Sequence, residues 1–240
     1  MEISESLPAP DVLAKERPLF KSFMTSAHGI ISMVLELLNT HLDLPPHTLA
    51  NLHRLDHSSG DQVRMIKAPP QPMDDRQTTL GEHTDFGSIT VLFNRLGGLQ
   101  VLPPGKGAEW CYVRPLSGHA IINLGDAMAV FTNGLLRSNI HRVVSPPGQQ
   151  ADHTRYSLVY FSRPENEVLM KRIEGSDKIP PLDEAGKAEE ERREKEGILK
   201  SKNWIIRRAL GHRHALNREK AMDFESFQGT EKLSRREGKA

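Results

Sequence analysis

Between residues 61 and 163 the sequence runs as short β-like segments divided by turn chemistry, and that rhythm constrains the fold more than any other feature. The segments are "QVRMIK", "SITVLF", "LQVLP", "WCYVR", "AIINL", "IHRVVS" and "RYSLVYF"; between them lie "APPQP", "RLGG", "PPGKG", "LSGH" and "PPGQQ". β-Branched and aromatic side chains suit a pleated, half-buried surface. Proline withholds an N–H from a ladder, and glycine reaches the conformations that turns need. Strands recurring at ~8–12-residue intervals predict an antiparallel sandwich or barrel rather than βαβ units.

The flanks read differently. Over 18–40, Pro18 suits a first helical turn, and Phe20, Phe23, Ala27, Ile31, Val34, Leu35 and Leu38 recur at helical spacing until Pro45-Pro46. A short second helix is predicted over 47–57 through Leu49, Leu52 and Leu55. After 164 the strand pattern stops. A charge-rich helix is predicted over 183–202, "NWIIRRAL" brings an apolar segment that should pack back on the sheet, and the polar tail from about 225 should fray. The predicted organisation is an N-terminal helical segment (1–60), a β core (61–164) and a C-terminal helical extension (165–240), mainly β with flanking helices.

Charge and composition narrow the partners. With 32 basic against 31 acidic residues and 5% aromatics, nothing points to nucleic acid or an anionic membrane as the main partner. The single cysteine, Cys111, excludes an intrachain disulfide and fits a reducing, cytoplasmic setting. No apolar run approaches the ~20 residues that span a bilayer. The sequence is silent on oligomeric state.

Chemistry concentrates at "GEHTDFGSIT", where His83 and Asp85 stand one residue apart. Such a pair is either two metal ligands or an ordinary polar strand end. A second His-X-Asp, His41-Leu42-Asp43, sits at a helix end ahead of two prolines, and capping accounts for it. In a strand, residues i and i+2 share a face, so an imidazole and a carboxylate would lie side by side. His141, opening "IHRVVS", is the preferred third ligand, with His119 its nearest rival. His28, His41, His47, His53 and His57 lie on or beside the early helices, and His212 and His214 lie in the basic tail. Two histidines and a carboxylate form the facial triad of non-haem Fe(II) oxygenases, and they also suit Zn²⁺. Arg155-Tyr156-Ser157 is the chain's one Arg-X-Ser. Its guanidinium and hydroxyl share a strand face and suit a carboxylate, while the plain alternative is a surface arginine on an edge strand.

His-X-Asp, then His, then Arg-X-Ser resembles the signature of iron- and 2-oxoglutarate-dependent dioxygenases of the isopenicillin-N-synthase-like superfamily, in its fungal form. "TTLGEHTDFGSITVLFN", "GGLQVLPP", "GHAIINLGDAMAVFTNGLLRSNIHRVVSPPG" and "TRYSLVYFSRPE" resemble that family's core blocks, over roughly residues 61–210. The resemblance implies a double-stranded β-helix (jelly roll), with His83, Asp85 and His141 holding Fe(II). It further implies Arg155 and Ser157 on the distal carboxylate of 2-oxoglutarate, O₂ as co-substrate, and release of succinate and CO₂ as a small, secondary-metabolite-like substrate is hydroxylated or desaturated. Asp126, in "NLGD", is expected to cap a short helix. Phe86, Leu80 and Phe93 are expected to shape the pocket. Two departures stand out. Ala68 replaces the tyrosine that many relatives carry before the paired prolines, leaving Lys67 or Arg64 to shape that side. The chain also begins near the first helix, so an N-terminally shortened fold is expected. The competing readings are a same-fold oxidase without 2-oxoglutarate, a zinc hydrolase, and a truncated, non-catalytic binding protein.

Overall fold

The computed structural model describes residues 10–71, 78–197 and 199–216. Two helices lead the chain, α1 (Asp11–Lys15) and α2 (Arg17–His41). Eight strands follow: β1 (Gln62–Ala68), β2 (Thr78–His83), β3 (Ile89–Asn94), β4 (Leu99–Val101), β5 (Cys111–Tyr112), β6 (Ile121–Leu124), β7 (His141–Val144) and β8 (Arg155–Ser162). Helix α3 (Asp126–Phe131) interrupts them, and α4 (Glu184–Lys195) and α5 (Ser201–Leu216) end the described chain. The strands make two four-stranded antiparallel sheets, ordered β1-β8-β3-β6 (the major sheet) and β2-β7-β4-β5 (the minor sheet). This is the jelly roll. No helix among the described residues is long and apolar enough to cross a membrane.

Alternation along β3 and β8 sorts the two faces of the major sheet. Val91 opposes Tyr160 and Phe93 opposes Leu158, while Thr90 opposes Phe161 and Asn94 opposes Ser157. The first set turns outward beneath α2, whose Ala27, Ile31 and Leu35 are buried against it. Burying Ile31 and Leu35 contributes about 1.5–3 kcal/mol each, and the smaller Ala27 less. Phe23 of α2 meets Phe93 edge to face, ring centroids 5.9 Å apart. Met128 and Phe131 of α3 and Trp204 and Ile205 of α5 complete this core. The apolar segment "NWIIRRAL" therefore does return to the body of the protein, as its composition predicts. The second set of alternating residues faces inward, toward the minor sheet, and it is this face that carries the chemistry.

Several elements depart from the sequence reading. Instead of a helix over 47–57 there is one 3₁₀ turn, Ala50–Leu52. His47 adopts φ +61°, outside the helical region, and the Leu49 carbonyl is taken by the His53 ring, so the backbone does not run on as an α-helix; buried Asn39 holds the preceding turn through Leu44 O, Pro45 O and the Leu49 N–H. The helix predicted over 183–202 breaks in two, because Gly197 adopts φ +67° and α5 starts only at Ser201. Strand β2, "TTLGEH", had no apolar alternation to announce it and pairs with β7 through two irregularities in register. The tail from 225 lies outside the described residues.

Candidate metal centre and anion grip

His83 and His141 are direct cross-strand partners on β2 and β7. Their rings lie 4.3 Å apart between centroids. Each Nδ1 sits against a backbone carbonyl two residues upstream, Gly81 O at 2.8 Å and Asn139 O at 3.1 Å. A carbonyl oxygen only accepts, so both Nδ1 atoms carry the proton, which makes each Nε2 the lone-pair atom suited to a ligand role. Those Nε2 atoms point at Asp85 Oδ1, from 4.0 Å for His83 and 3.7 Å for His141. All three donor atoms lie within 4.8 Å of one another. An ion with bonds of roughly 2.1 Å needs cis donors about 3.0 Å apart, so small side-chain rotations would close the set around a metal. Two imidazole nitrogens and one carboxylate on one side of an ion match the facial arrangement that leaves other positions open.

Asp85 reaches this place by a turn and not by strand alternation. It lies past the end of β2, which stops at His83. Its Oδ2 accepts from Thr90 Oγ1 (2.6 Å) and Asn123 Nδ2 (2.7 Å), which turns Oδ1 toward the histidines. Its backbone oxygen accepts from Asp126 N–H at 2.8 Å. The approach of these loops requires glycine at 125, where a Cβ would stand 2.2 Å from Gly87 O and 2.9 Å from Asp85 O.

Asp126 does not cap α3; it is the first helical residue, and Gly125 holds the cap position without a side-chain bond. Its fully buried carboxylate instead accepts from Thr84 Oγ1 (3.1 Å) and from Arg208 Nη2 of α5 (2.5 Å). The Arg208 guanidinium also lies 5.0 Å over the Phe86 ring. Both neighbours of Asp85 are thus tied to α5. Thr90, Asn123 and Arg208 escaped the sequence reading. The first two had one signal, strand alternation placing them on the ligand face, whereas Arg208 had none.

Arg155 and Ser157 share the inner face of β8, each 5% exposed. The Arg155 Nε donates to Gly97 O at 2.9 Å, and Nη1 donates to Ser157 Oγ. Burial pushes the guanidinium's pKa below its ordinary value. A buried cation held by a carbonyl and a hydroxyl, both neutral, favours an incoming carboxylate. Ala68 is the register partner of Arg155 on β1 and shares its face, so the position without a tyrosine does border this grip.

The remaining candidates divide. His119 is exposed on Ser117 O and joins no cluster among the described residues. Phe93 is no pocket residue, because it faces α2. Lys67 opposes Tyr156 on the outer face, leaving Arg64 as the cation on the inner one. Phe86 packs on the core under Arg208, while Leu80 pairs with Val143 on the His141 side and is 40% exposed. His41 and Asp43 instead meet Lys178, through the His41 carbonyl and the Asp43 carboxylate.

The β core that carries the candidate site residues is similar to known proteins. Residues 59–164 match the model of the 2OG-Fe(II) oxygenase superfamily. A 2-oxoglutarate-dependent dioxygenase of Aspergillus fumigatus is 36% identical over 73% of this chain and 50% of its own length. The 2-oxoglutarate-dependent dioxygenase iboH of Amanita muscaria is 34% identical over 69% of this chain and 81% of its own. The chain therefore spans half the length of the first relative and most of the second. Among solved structures, a full-length Neurospora crassa protein in complex with alpha-KG and 5-formyluracil is similar with a TM-score of 0.63 and 25% identity, covering 78% of this chain and 62% of that one.

Proposed function

The chain belongs to the 2OG-Fe(II) oxygenase superfamily, and from that premise we propose that it oxidises a small organic substrate at the expense of 2-oxoglutarate and O₂. When bound, Fe(II) supplies the redox chemistry of the overall reaction, in which 2-oxoglutarate, O₂ and a substrate C–H bond give succinate, CO₂ and a hydroxylated product, or a desaturated product and water. His83, Asp85 and His141 would hold the metal, their donor atoms already aimed at a common point. Thr90 and Asn123 keep the Asp85 carboxylate in the one rotamer that serves it. Arg155 and Ser157 would take the far carboxylate of 2-oxoglutarate, so its keto-acid end faces the triad. Holding both reactants in place between the two sheets is the protein's share of catalysis.

The observation that carries this reading is the pair of opposed histidines on the minor sheet, locked in one tautomer against Asp85, together with a buried arginine on the inner face of the major sheet. Near-balanced charge supports a small-molecule substrate rather than nucleic acid, and the exposed thiol of Cys111 supports a reducing compartment such as the cytoplasm. The test is O₂ uptake and succinate formation by the purified chain given Fe(II) and 2-oxoglutarate, with and without candidate substrates. Turnover should require iron and vanish in His141→Ala. Substrate oxidation without succinate would favour the oxidase reading, and zinc at full occupancy without O₂ uptake the hydrolase. Binding of neither Mn(II) nor 2-oxoglutarate would favour the non-catalytic binding protein.

A further inference from the structure

Away from Arg155, the inner face of the major sheet carries a second basic feature that the proposed function leaves unused. Arg64, in the middle of β1, lays its guanidinium 5.3 Å over the Phe161 ring. Its Nε donates to Gln62 Oε1 at 3.1 Å, and Nη2 of Arg163, just past β8, meets the same oxygen at 3.5 Å. One neutral amide oxygen thus serves two guanidinium groups. The carboxylate beside them, Asp61, is already committed to the Tyr160 hydroxyl and the Arg163 backbone N–H. Arg163 Nη1 donates to Gly60 O, and its Nε is buried without a hydrogen-bond partner among the described residues. Burial first, and then the charge of Arg64, push the Arg163 pKa down, while Asp61 and Asp85 oppose the shift. The two arginines feel each other, and Arg163 feels the candidate metal ligand. No carboxylate among the described residues forms an ion pair with Arg64.

Register places this pair beside the triad. Arg64 opposes Val159 and covers Phe161; Phe161 opposes Thr90, whose hydroxyl bonds Asp85. Arg64 on β1 and Thr90 on β3 are two strand spacings and two residues apart, roughly 12 Å. Arg155 is four residues further along β8 from Val159, roughly 13 Å. The two cationic positions are therefore separate: Arg155 is buried, whereas Arg64 is exposed on the edge strand β1. Around Arg64 the inner wall is apolar: Phe161, Val159 and Ile66, the last 40% exposed.

We propose that Arg64, backed by Arg163, receives a carboxylate of the oxidised substrate, so that this site acts on small organic acids with an apolar body next to the acid group. The inference rests on the oxygenase reading and names its substrate class. A guanidinium stacked on an aromatic ring keeps its donor edge available for a bidentate carboxylate, and the neighbouring positive charge, in contact only with neutral acceptors and a committed acid, is relieved by an anion.

The test uses the full chain with Mn(II) and saturating 2-oxoglutarate, which fills the Arg155 end. A panel of aryl- and alkyl-alkanoic acids, each paired with its primary amide, is titrated and binding is read by ligand-observed NMR. At least one acid should bind roughly tenfold or more tighter than its amide, the worth of a charge-assisted hydrogen bond. Arg64→Gln should abolish that preference, and Arg64→Lys should keep part of it. Parity of every acid with its amide in the wild type, or a preference that survives Arg64→Gln, overturns the inference. Binding of Mn(II) and 2-oxoglutarate, measured in the same samples, separates the two levels. Its failure in the wild type ends the oxygenase reading, whereas acid–amide parity with both bound ends only this one. If Arg64→Gln fails to bind them, wild type and Arg64→Lys decide.

Discussion

At the scale of residues, the candidate centre is made of groups whose other hydrogen-bonding positions are already used. His83 and His141 each commit Nδ1 to a carbonyl, and Asp85 commits Oδ2 to Thr90 and Asn123. Two nitrogens and one oxygen then converge. Groups that orient a ligand typically matter about 10–100-fold to metal affinity. Asn123→Ala should therefore weaken Mn(II) binding by about tenfold with the fold intact, measured by titration followed with electron paramagnetic resonance; unchanged affinity would show that Thr90 alone suffices. The candidate ligands themselves could be picked out in the sequence because motif spacing is local information. Their supporters were not, because Thr90 and Asn123 are ordinary strand residues until the register of β3 against β6 sets them opposite each other.

At the scale of elements, two tethers can be tested separately. Helix α5 reaches the loop carrying Asp85 through Arg208 and Asp126, side chains 8% and 0% exposed. Removing one partner of a buried ion pair leaves the other uncompensated, at a cost of about 3–5 kcal/mol. Arg208→Leu should lower the urea midpoint accordingly and weaken Mn(II) binding, while Arg208→Lys recovers part of both. If stability falls but the metal affinity does not, α5 supports the fold and not the centre.

The second tether is His53, after the 3₁₀ turn. Its Nδ1 donates to Leu49 O (2.8 Å), and its Nε2 accepts from the Ser88 hydroxyl (2.6 Å) just ahead of β3. Burial lowers its pKa below 6.5. The unfolded chain then binds a proton that the folded chain refuses, so this contribution is complete above about pH 6.5 and is lost as pH falls through the lowered folded value. Stability should drop by up to about 1.4 kcal/mol per pH unit in that window. Denaturation at about pH 7.5 and about pH 5.5, on either side of the ordinary imidazole value, checks this, and His53→Gln should flatten the slope. The element pattern was readable for α2 and β8, whose apolar spacing is strong. It was unreadable for β2, which is polar and exposed and becomes a strand only because β7 lies beside it.

At the scale of the molecule, the proposed function makes the two sheets together a receptor, and its ligands should stabilise the whole. A ligand at about a hundred times its Kd adds about 2.7 kcal/mol, which for a chain of this size raises Tm by roughly 5–10 °C. Mn(II) with 2-oxoglutarate should give such a shift by calorimetry, EDTA should reverse it, and Arg155→Gln should remove the part due to 2-oxoglutarate. A shift with metal alone and none from 2-oxoglutarate would favour the oxidase reading. The sequence by itself determined the β-rich body, the two histidines and the aspartate, and the Arg-X-Ser pair, because each depends on residue type and short-range spacing. Tertiary structure alone decided which oxygen of Asp85 faces the histidines, that Asp126 answers Arg208 rather than capping α3, that Phe93 belongs to the helix side, and that Arg64 and Arg163 meet beside Phe161. Those outcomes follow from register and from contacts between residues as much as 103 positions apart, and no local pattern encodes which strand will lie beside which.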